Sequence, residues 1–366
     1  MPRLTIIAGL AAVLAVGCAS APDAPAPTAP AAPDCRVARA RGDVVALERA
    51  SGELVVIGGV GLLRSADRGR TWRREALPAA CRWHGAAEVE GRLVVSCVDP
   101  GPPSRLLVLD EPSDGVWAAP LEIERVDELV IDTNLQPLPD GSTVLLLATH
   151  VDRRDDLGDA VYEVRAHRSF DGGRSWAADG TVLTGRRGER LEDTRTVVLA
   201  DGELLLGLEL ETAEGAPSSL LQLRSADGGE TWSAPEVVWR GGDIEPGGYA
   251  RFDDGELWLV VSSDELAGGG SYDRASILAR RSFDGGRSWT APEVLVDRAD
   301  QLSFGGLVVA PDTVLLPSLR YWNDRRRTQL ALYVVDRLGG GPARCAVEAV
   351  SRGAFEEGPG AQPTIR

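Results

Sequence analysis

One eight-residue pattern returns four times and limits this chain more than any other feature. Residues 65–72, 169–176, 225–232 and 282–289 all read Ser-x-Asp-x-Gly-x-(Ser/Thr)-Trp. Asp171, Asp227 and Asp284 fall at near-equal intervals, and Asp67 lies almost two intervals before Asp171. Midway in that longer gap stands a shortened copy, Ser113-Asp114-Gly115-Val116-Trp117. Its continuation, Trp117-Ala118-Ala119-Pro120, matches Trp232-Ser233-Ala234-Pro235 and Trp289-Thr290-Ala291-Pro292. One interval past Asp284, Asp336-Arg337-Leu338-Gly339 is a copy that has lost its Trp. The chain therefore holds six units.

Each unit has the same anatomy. An apolar stretch leads to a turn, commonly Asp-Gly as at Asp140-Gly141, Asp201-Gly202 and Asp254-Gly255. A β-forming run follows, such as 144–148, 204–208, 257–261 or 314–316. A variable loop comes next, then a third strand entering the Ser-x-Asp turn, then a short fourth strand after the Trp. Four short strands at roughly 50-residue spacing are the signature of a propeller blade. The expected fold is all-β: a six-bladed β-propeller of four-stranded blades, over residues 35–352, with a tail at 353–366. The 42 glycines and 23 prolines, many in turn clusters, agree with this and argue against a helix bundle.

Composition narrows function. With 43% hydrophobic and 26% charged residues the chain can build a core, and a net charge of −16 excludes a nucleic-acid footprint. Residues 1–18 read as an export signal: Arg3, an apolar run from Leu4 to Val16, then Gly17 and Cys18. That run is too short to span a membrane as a helix. The sequence ending Leu-Ala-Val-Gly-Cys18 resembles a bacterial lipobox, in which the Cys is lipidated and becomes the mature N-terminus. Residues 19–34 are almost all Ala and Pro, an extended tether of ~3.1 Å per residue that reaches up to about 50 Å. A lipoprotein of a bacterial cell envelope, membrane-attached only by its lipid, is the expectation.

Four cysteines remain, Cys35, Cys81, Cys97 and Cys345, and three pairings are open. A propeller ring has to be closed. Cys35 precedes the first blade and Cys345 lies in the last strand, so Cys35–Cys345 is expected as a clasp and Cys81–Cys97 as a staple of the second blade.

In the repeated turn, Asp accepts hydrogen bonds from nearby amides and Gly supplies positive φ, so the motif is structural rather than catalytic. These turns resemble the Asp boxes of the sialidase superfamily, also called BNR repeats, over about residues 36–350. The resemblance implies a six-bladed propeller. For an active sialidase it also implies three arginines on the substrate carboxylate, a Tyr nucleophile with a Glu partner, and an Asp acid/base. Several of these are missing where the family would place them. Arg36, Arg39 and Arg41 stand near the first blade without the family's Arg-Ile-Pro motif. The loop for the Asp has shrunk to Gly58-Gly59-Val60-Gly61. The sixth inner strand reads Ser303-Phe304-Gly305-Gly306, with no Tyr. Arg195, Arg251 and Arg320 come from suitable blades, although Arg251 has the opposite strand parity from Arg195. Tyr321 is the surviving nucleophile candidate, with Glu209 or Glu211 as partner.

Counting back from the Asp-Gly turns aligns the inner strands. Two positions expected on one strand face hold Asp43, Arg82, Asp132, Asp193, Pro246 and Phe304, and then Val45, His84, Asn134, Arg195, Gly248 and Gly306. Seven polar residues therefore gather at one mouth of the axis: Asp43, Arg82, His84, Asp132, Asn134, Asp193 and Arg195. The second strands end there with His150, Glu209, Glu211 and Arg320-Tyr321-Trp322. A carboxylate, guanidinium and aromatic mixture suits sugar, so Arg320 and Trp322 join the expected ligand-binding set. The loop Asp152-Arg153-Arg154-Asp155-Asp156 reads as a solvated tip without a recognised calcium-ligand spacing. Cysteine spacing suits disulfides better than zinc; no metal or cofactor is expected.

The expected function is binding of a glycan or a surface protein at the axial mouth by a monomer. One alternative is an active glycoside hydrolase of exo-α-sialidase type, and another is an envelope assembly scaffold.

Overall fold

A computed structural model of the chain describes residues 36–40, 44–58, 61–69, 71–79, 81–111, 116–152, 160–212, 217–241, 244–263, 275–297, 301–303, 306–321, 328–337 and 344–345. The first described strand is β1 (Arg36–Ala40). Five four-stranded antiparallel sheets follow in chain order. The first blade is β2 (Val44–Glu48), β3 (Leu54–Gly58), β4 (Gly61–Ser65) and β5 (Arg73–Glu75). The second is β6 (Arg82–Val89), β7 (Arg92–Asp99), β8 (Ser104–Glu111) and β9 (Leu121–Val126). The third is β10 (Leu129–Pro137), β11 (Val144–Val151), β12 (Tyr162–Ser169) and β13 (Ala177–Thr184). The fourth is β14 (Arg190–Val198), β15 (Leu204–Glu211), β16 (Ser219–Ser225) and β17 (Glu236–Arg240). The fifth is β18 (Ile244–Arg251), β19 (Leu257–Ser263), β20 (Ser276–Ser282) and β21 (Glu293–Val296).

The sixth blade is the one the repeat count does not describe. Its inner edge is split into β22 (Gln301–Ser303) and β23 (Leu307–Ala310), both paired with β24 (Thr313–Tyr321), which pairs with β25 (Thr328–Asp336). The outer edge of β25 is shared. The short β26 (Arg344–Cys345) takes Tyr333 and Val334, and β1 takes 328–331, with Arg36 against Ala331 and Ala40 against Thr328. Residues 36–40 therefore belong to the last blade, not ahead of the first one. The ring is closed by main-chain hydrogen bonds between the two ends of the propeller, and β2 lies against β23 and β24. The expected Cys35–Cys345 clasp falls outside the described residues at Cys35; β26 carries the backbone of Cys345.

The sheets stack face to face around the axis, and each hydrophobic cluster joins two neighbours. Val144, Leu146 and Ala148 of β11 pack toward the second blade with Val94, Leu106 and Val108. Leu145, Leu147 and Val151 of the same strand pack toward the fourth with Leu204, Leu206 and Leu208. Because both faces are covered, β11 is buried at every position and reads as a continuous apolar run rather than an alternation.

The repeated turns are closed hydrogen-bonded loops. In the first blade Asp67 accepts from the Thr71 amide at 2.8 Å and its hydroxyl at 2.6 Å, while the Gly69 amide donates to Ser65 Oγ at 2.8 Å. Trp72 Nε1 returns to the Gly69 carbonyl at 3.0 Å. The amides that reach the Asp come from three and four residues on, as with Arg174 and Ser175 at Asp171. The turns also lock blade to blade through an arginine placed just before the Ser. Arg168 donates to the Gly228 carbonyl at 2.9 Å and Arg224 to the Gly285 carbonyl at 2.8 Å, each in the next blade's turn. The sixth turn lacks Trp. There Arg337 sits 4.3 Å over the Phe252 ring and pairs with Asp254 at 2.5 Å and with Glu256.

The expected Cys81–Cys97 disulfide is present, with Cα atoms 5.7 Å apart, and ties the entry of β6 to β7. Reducing it is expected to cost about 3 kcal/mol by the loop-entropy relation. Urea unfolding of wild type and of a Cys81→Ser/Cys97→Ser variant measures this; equal midpoints would show the bond to be redundant. An unreduced peptide map is expected to join Cys35 to Cys345 as well.

Candidate functional site

Strand register fixes which residues share an end of the axis. In the third blade Leu129 faces Val151 at one end, and Pro137 faces Val144, itself opposite Ser169, at the other. The Ser-x-Asp turns therefore lie with the Asp-Gly turns, as shown by the Gly172 amide donating to the Ser142 carbonyl at 2.8 Å. The starts of the inner strands and the ends of the second strands form the opposite mouth. Arg82, Asp132, Asp193 and Glu209 are at this mouth. Arg251, opposite Leu257 beside the Asp254-Gly255 turn, is at the far end and cannot join Arg195.

Asp132 is the centre of the polar cluster. It is 2% exposed and accepts from the Thr194 amide at 2.6 Å and the Thr194 hydroxyl at 2.7 Å. Arg195 stands between it and Asp193, with Nη1 3.7 Å from Asp132 and Nη2 3.5 Å from Asp193. Asn134 accepts a hydrogen bond from the Thr196 hydroxyl, so two positions of β10 grip β14. On the other side Ser96 and Thr133 share a 2.9 Å hydrogen bond. The fifth blade contributes space: the stem of Arg195 lies over Gly248, where an added Cβ would meet its Cγ and Cδ at 3.5 Å. The φ of +108° at Gly248 excludes other residues with little strain.

A shared strand face holds for Asp132 and Asn134 but not for the matching pairs in the second and fourth blades. Register shifts fall between Arg82 and Gly85 and between Glu192 and Arg195. Such bulges interrupt the two-residue alternation. In the fourth blade the bulge holds Asp193 at φ 55°. In the second it leaves Arg82 exposed and buries His84 to 6%. Neither ring nitrogen of His84 has a hydrogen-bond partner, and burial pushes its pKa down to about 4, so the ring is neutral.

The fourth blade concentrates acid. Glu192 faces Glu209 directly across β14 and β15. Burial, with Asp193 and Glu211 close by, pushes the Glu192 pKa up to about 7. Burial and Asp193 also hold Glu209 protonated well above the usual carboxylate range, and burial raises Asp132. Glu211 pairs with Arg190 at 3.1 Å. Glu192 lies one residue before the two aligned inner-strand positions, so the comparison of those positions does not include it. The sign of it was local: a second acid beside Asp193, one strand away from Glu209.

The remaining candidates separate. His150 turns its buried ring between the second and third blades, away from the axis. Arg320 and Tyr321 lie at the mouth end of β24, opposite Gln329 and Thr328, with their side chains outside the described residues. Asp43, Phe304, Trp322, Cys18 and most of the 152–156 loop are also outside them.

No family model matches the chain, and no curated protein matches it. Solved structures do. A protein of unknown function from Dyadobacter fermentans aligns with a TM-score of 0.61 and 14% identity, over 84% of this chain and 97% of that one. The Hadza microbial sialidase Hz136 aligns with a TM-score of 0.58 and 15% identity, over 83% of this chain and 66% of that one. A variant of the NanB sialidase from Streptococcus pneumoniae gives 0.58 and 10%, over 84% and 71%. The fold is a sialidase-like propeller. At these identities the likeness carries the fold and not the reaction.

Proposed function

We propose that this sialidase-like propeller is an exported, lipid-tethered protein that binds glycan hydroxyls at the mouth formed by its third and fourth blades. The observation that carries this reading is the state of Arg195. A sialidase needs guanidinium groups turned toward a substrate carboxylate, but Arg195 is flanked by Asp132 and Asp193, which take up its charge. Among the described residues the third and fourth blades present the carboxyl groups of Glu192, Asp193 and Glu211, the Thr196 hydroxyl, and two arginines, Arg190 and Arg195, each beside a carboxylate, while the exposed Arg82 stands on the second blade. These groups accept from and donate to sugar hydroxyls, and they do not favour an anion. The carbohydrate-active propellers among the structural neighbours support the ligand class.

Neutral glycans are therefore expected to bind on an array, with sialylated ones no better. Arg195→Ala is expected to weaken binding at least tenfold with the circular dichroism spectrum unchanged. Turnover of an aryl sialoside is expected to stay near background, since each missing acid, base or nucleophile costs about 10²–10⁴ in rate. Preferential capture of sialylated glycans, or retained affinity in Arg195→Ala, would reject the reading.

A second reading, glycoside hydrolysis, is favoured by Glu192 and Glu209. Cross-strand neighbours stand about 4.5–5.5 Å apart at Cβ, which puts the ~5 Å carboxyl spacing of retaining glycosidases within reach of the two side chains. A carboxyl with a pKa about 7 is suited to act as a general acid. Hydrolysis of a neutral aryl glycoside that is lost in Glu192→Gln would select this reading.

A further inference from the structure

Two of the three histidines meet away from the axis. Residues 146, 148 and 150 of β11 and 163, 165 and 167 of β12 share the sheet face turned to the second blade, because Leu146 pairs with His167 and His150 with Glu163. Toward them β9 sends Glu124. His167 Nε2 lies 3.0 Å from Glu124 Oε2, and His150 Nε2 lies 3.4 Å from the same oxygen. All three atoms fall within 4.8 Å of one another. All three are shielded from solvent. Glu124 is already drawn to His167, while His150 Nε2 has no hydrogen bond of its own. Three buried ligand atoms that converge in this way carry a desolvation cost that their mutual contacts offset only in part.

We propose that these atoms bind a divalent transition-metal ion between the second and third blades. Two imidazoles and a carboxylate suit Zn²⁺, and the same set with open positions suits Fe²⁺. Metal–ligand bonds of about 2.0–2.2 Å at tetrahedral angles set ligand atoms roughly 3.4 Å apart, close to the 3.4 Å and 3.0 Å that separate His150 Nε2 and His167 Nε2 from Glu124. The outer groups are in place. Glu128 Oε2 lies 3.4 Å from His150 Nδ1 and 2.7 Å from Arg165 Nη1. Binding the ion requires the His150 proton to sit on Nδ1 and be donated to Glu128 in place of the hydrogen bond that Nδ1 accepts from Arg165, which leaves the Nε2 lone pair for the metal, the carboxylate–histidine–metal arrangement. Arg165 Nη1, 3.2 Å from the same Nδ1, is anchored to Glu128 at 2.7 Å and by Nη2 to Glu163 at 2.7 Å. The Glu124 side chain is 21% exposed, so the ion has a route from solvent and water can complete its coordination. Bound there, the ion joins the outer strand of one blade to the middle strands of the next.

The test uses the full chain, purified without a histidine tag, stripped with chelator and titrated with Zn²⁺, Fe²⁺ under anaerobic conditions, and Co²⁺. One equivalent per chain is expected, with a raised Tm. The Co²⁺ form is expected to show visible d–d bands, and X-ray absorption of the zinc form to show two imidazoles. Glu128→Gln is expected to weaken affinity about 10–100-fold, and His150→Ala or His167→Ala to weaken it further. His84→Ala should keep the full equivalent. The proposal is overturned if the wild type shows no saturable binding, if its bound zinc lacks two imidazoles, or if His150→Ala and His167→Ala both retain the site.

Discussion

Deletion of residues 36–40 is expected to abolish the sharp unfolding transition of the chain. These residues form β1, the fourth strand beside β25, with Ala38, Arg39 and Ala40 set against Leu330, Gln329 and Thr328. Without them the edge of β25 loses its partner over 328–331, since β26 covers only Tyr333 and Val334. Unpaired strand edges recruit other chains. The loss of about four net main-chain hydrogen bonds alone costs roughly 2–6 kcal/mol. The larger consequence is topological, because β1 is the chain's return to its own last blade. Urea denaturation followed through the nine tryptophans measures the effect. A fall in both midpoint and slope, with self-association on sizing columns, is expected. A deletion variant that unfolds as sharply as wild type, at the same midpoint, would show that the ring holds without this strand.

The second large effect is expected from pH. In the folded chain burial raises the Glu192 pKa from its ordinary value to about 7 and raises Glu209 as well. In the unfolded chain both titrate near ~4.3. The folded state binds the extra protons between these values, so stability is complete below pH ~4.3 on this account and declines as pH rises through about 7. A difference of this size for Glu192 corresponds to roughly 4 kcal/mol at pH 8. The turn carboxylates act in the opposite direction. Hydrogen bonds from Ser175 hold Asp171 at about 2 despite the burial that opposes them, so its contribution is lost only as pH falls below the ordinary Asp range. Unfolding curves at pH 5, 6, 7 and 8 are expected to show falling stability, and Glu192→Gln is expected to reduce the slope, with the share due to Glu209 remaining. A wild-type curve flat across this range, or an unchanged slope in the variant, contradicts the buried-acid assignment.

The mouth was only partly legible. Asp132, Asn134, Asp193 and Arg195 could be placed by counting from the Asp-Gly turns, because strand length is nearly the same in each blade. What the count cannot supply is the extra residue of a bulge. That residue separates Arg82 from His84 in exposure and brings the Thr194 amide onto Asp132. Glu192 is hidden in the sequence for the same reason: its role depends on facing Glu209, and cross-strand register is a property of the pair. Its position near the end of a second strand suggests His150 for the mouth. The parity of β11 sends it instead toward Glu124 of the neighbouring blade.

The sequence by itself determined the repeat unit, the number of blades, the all-β class and the turn chemistry. Each of these is a local property: Asp67 reaches Thr71, Ser65 reaches Gly69, and Trp72 reaches back to Gly69. It also determined the Cys81–Cys97 staple, whose partners lie on one hairpin. The tertiary structure alone decided how the ring closes, since pairing β1 with β25 joins segments almost a whole chain apart, and no periodicity records such a contact. It also decided which acids share a dry environment and where two histidines and a carboxylate converge. These depend on the stacking of one sheet upon the next, where distance in space is unrelated to distance along the chain.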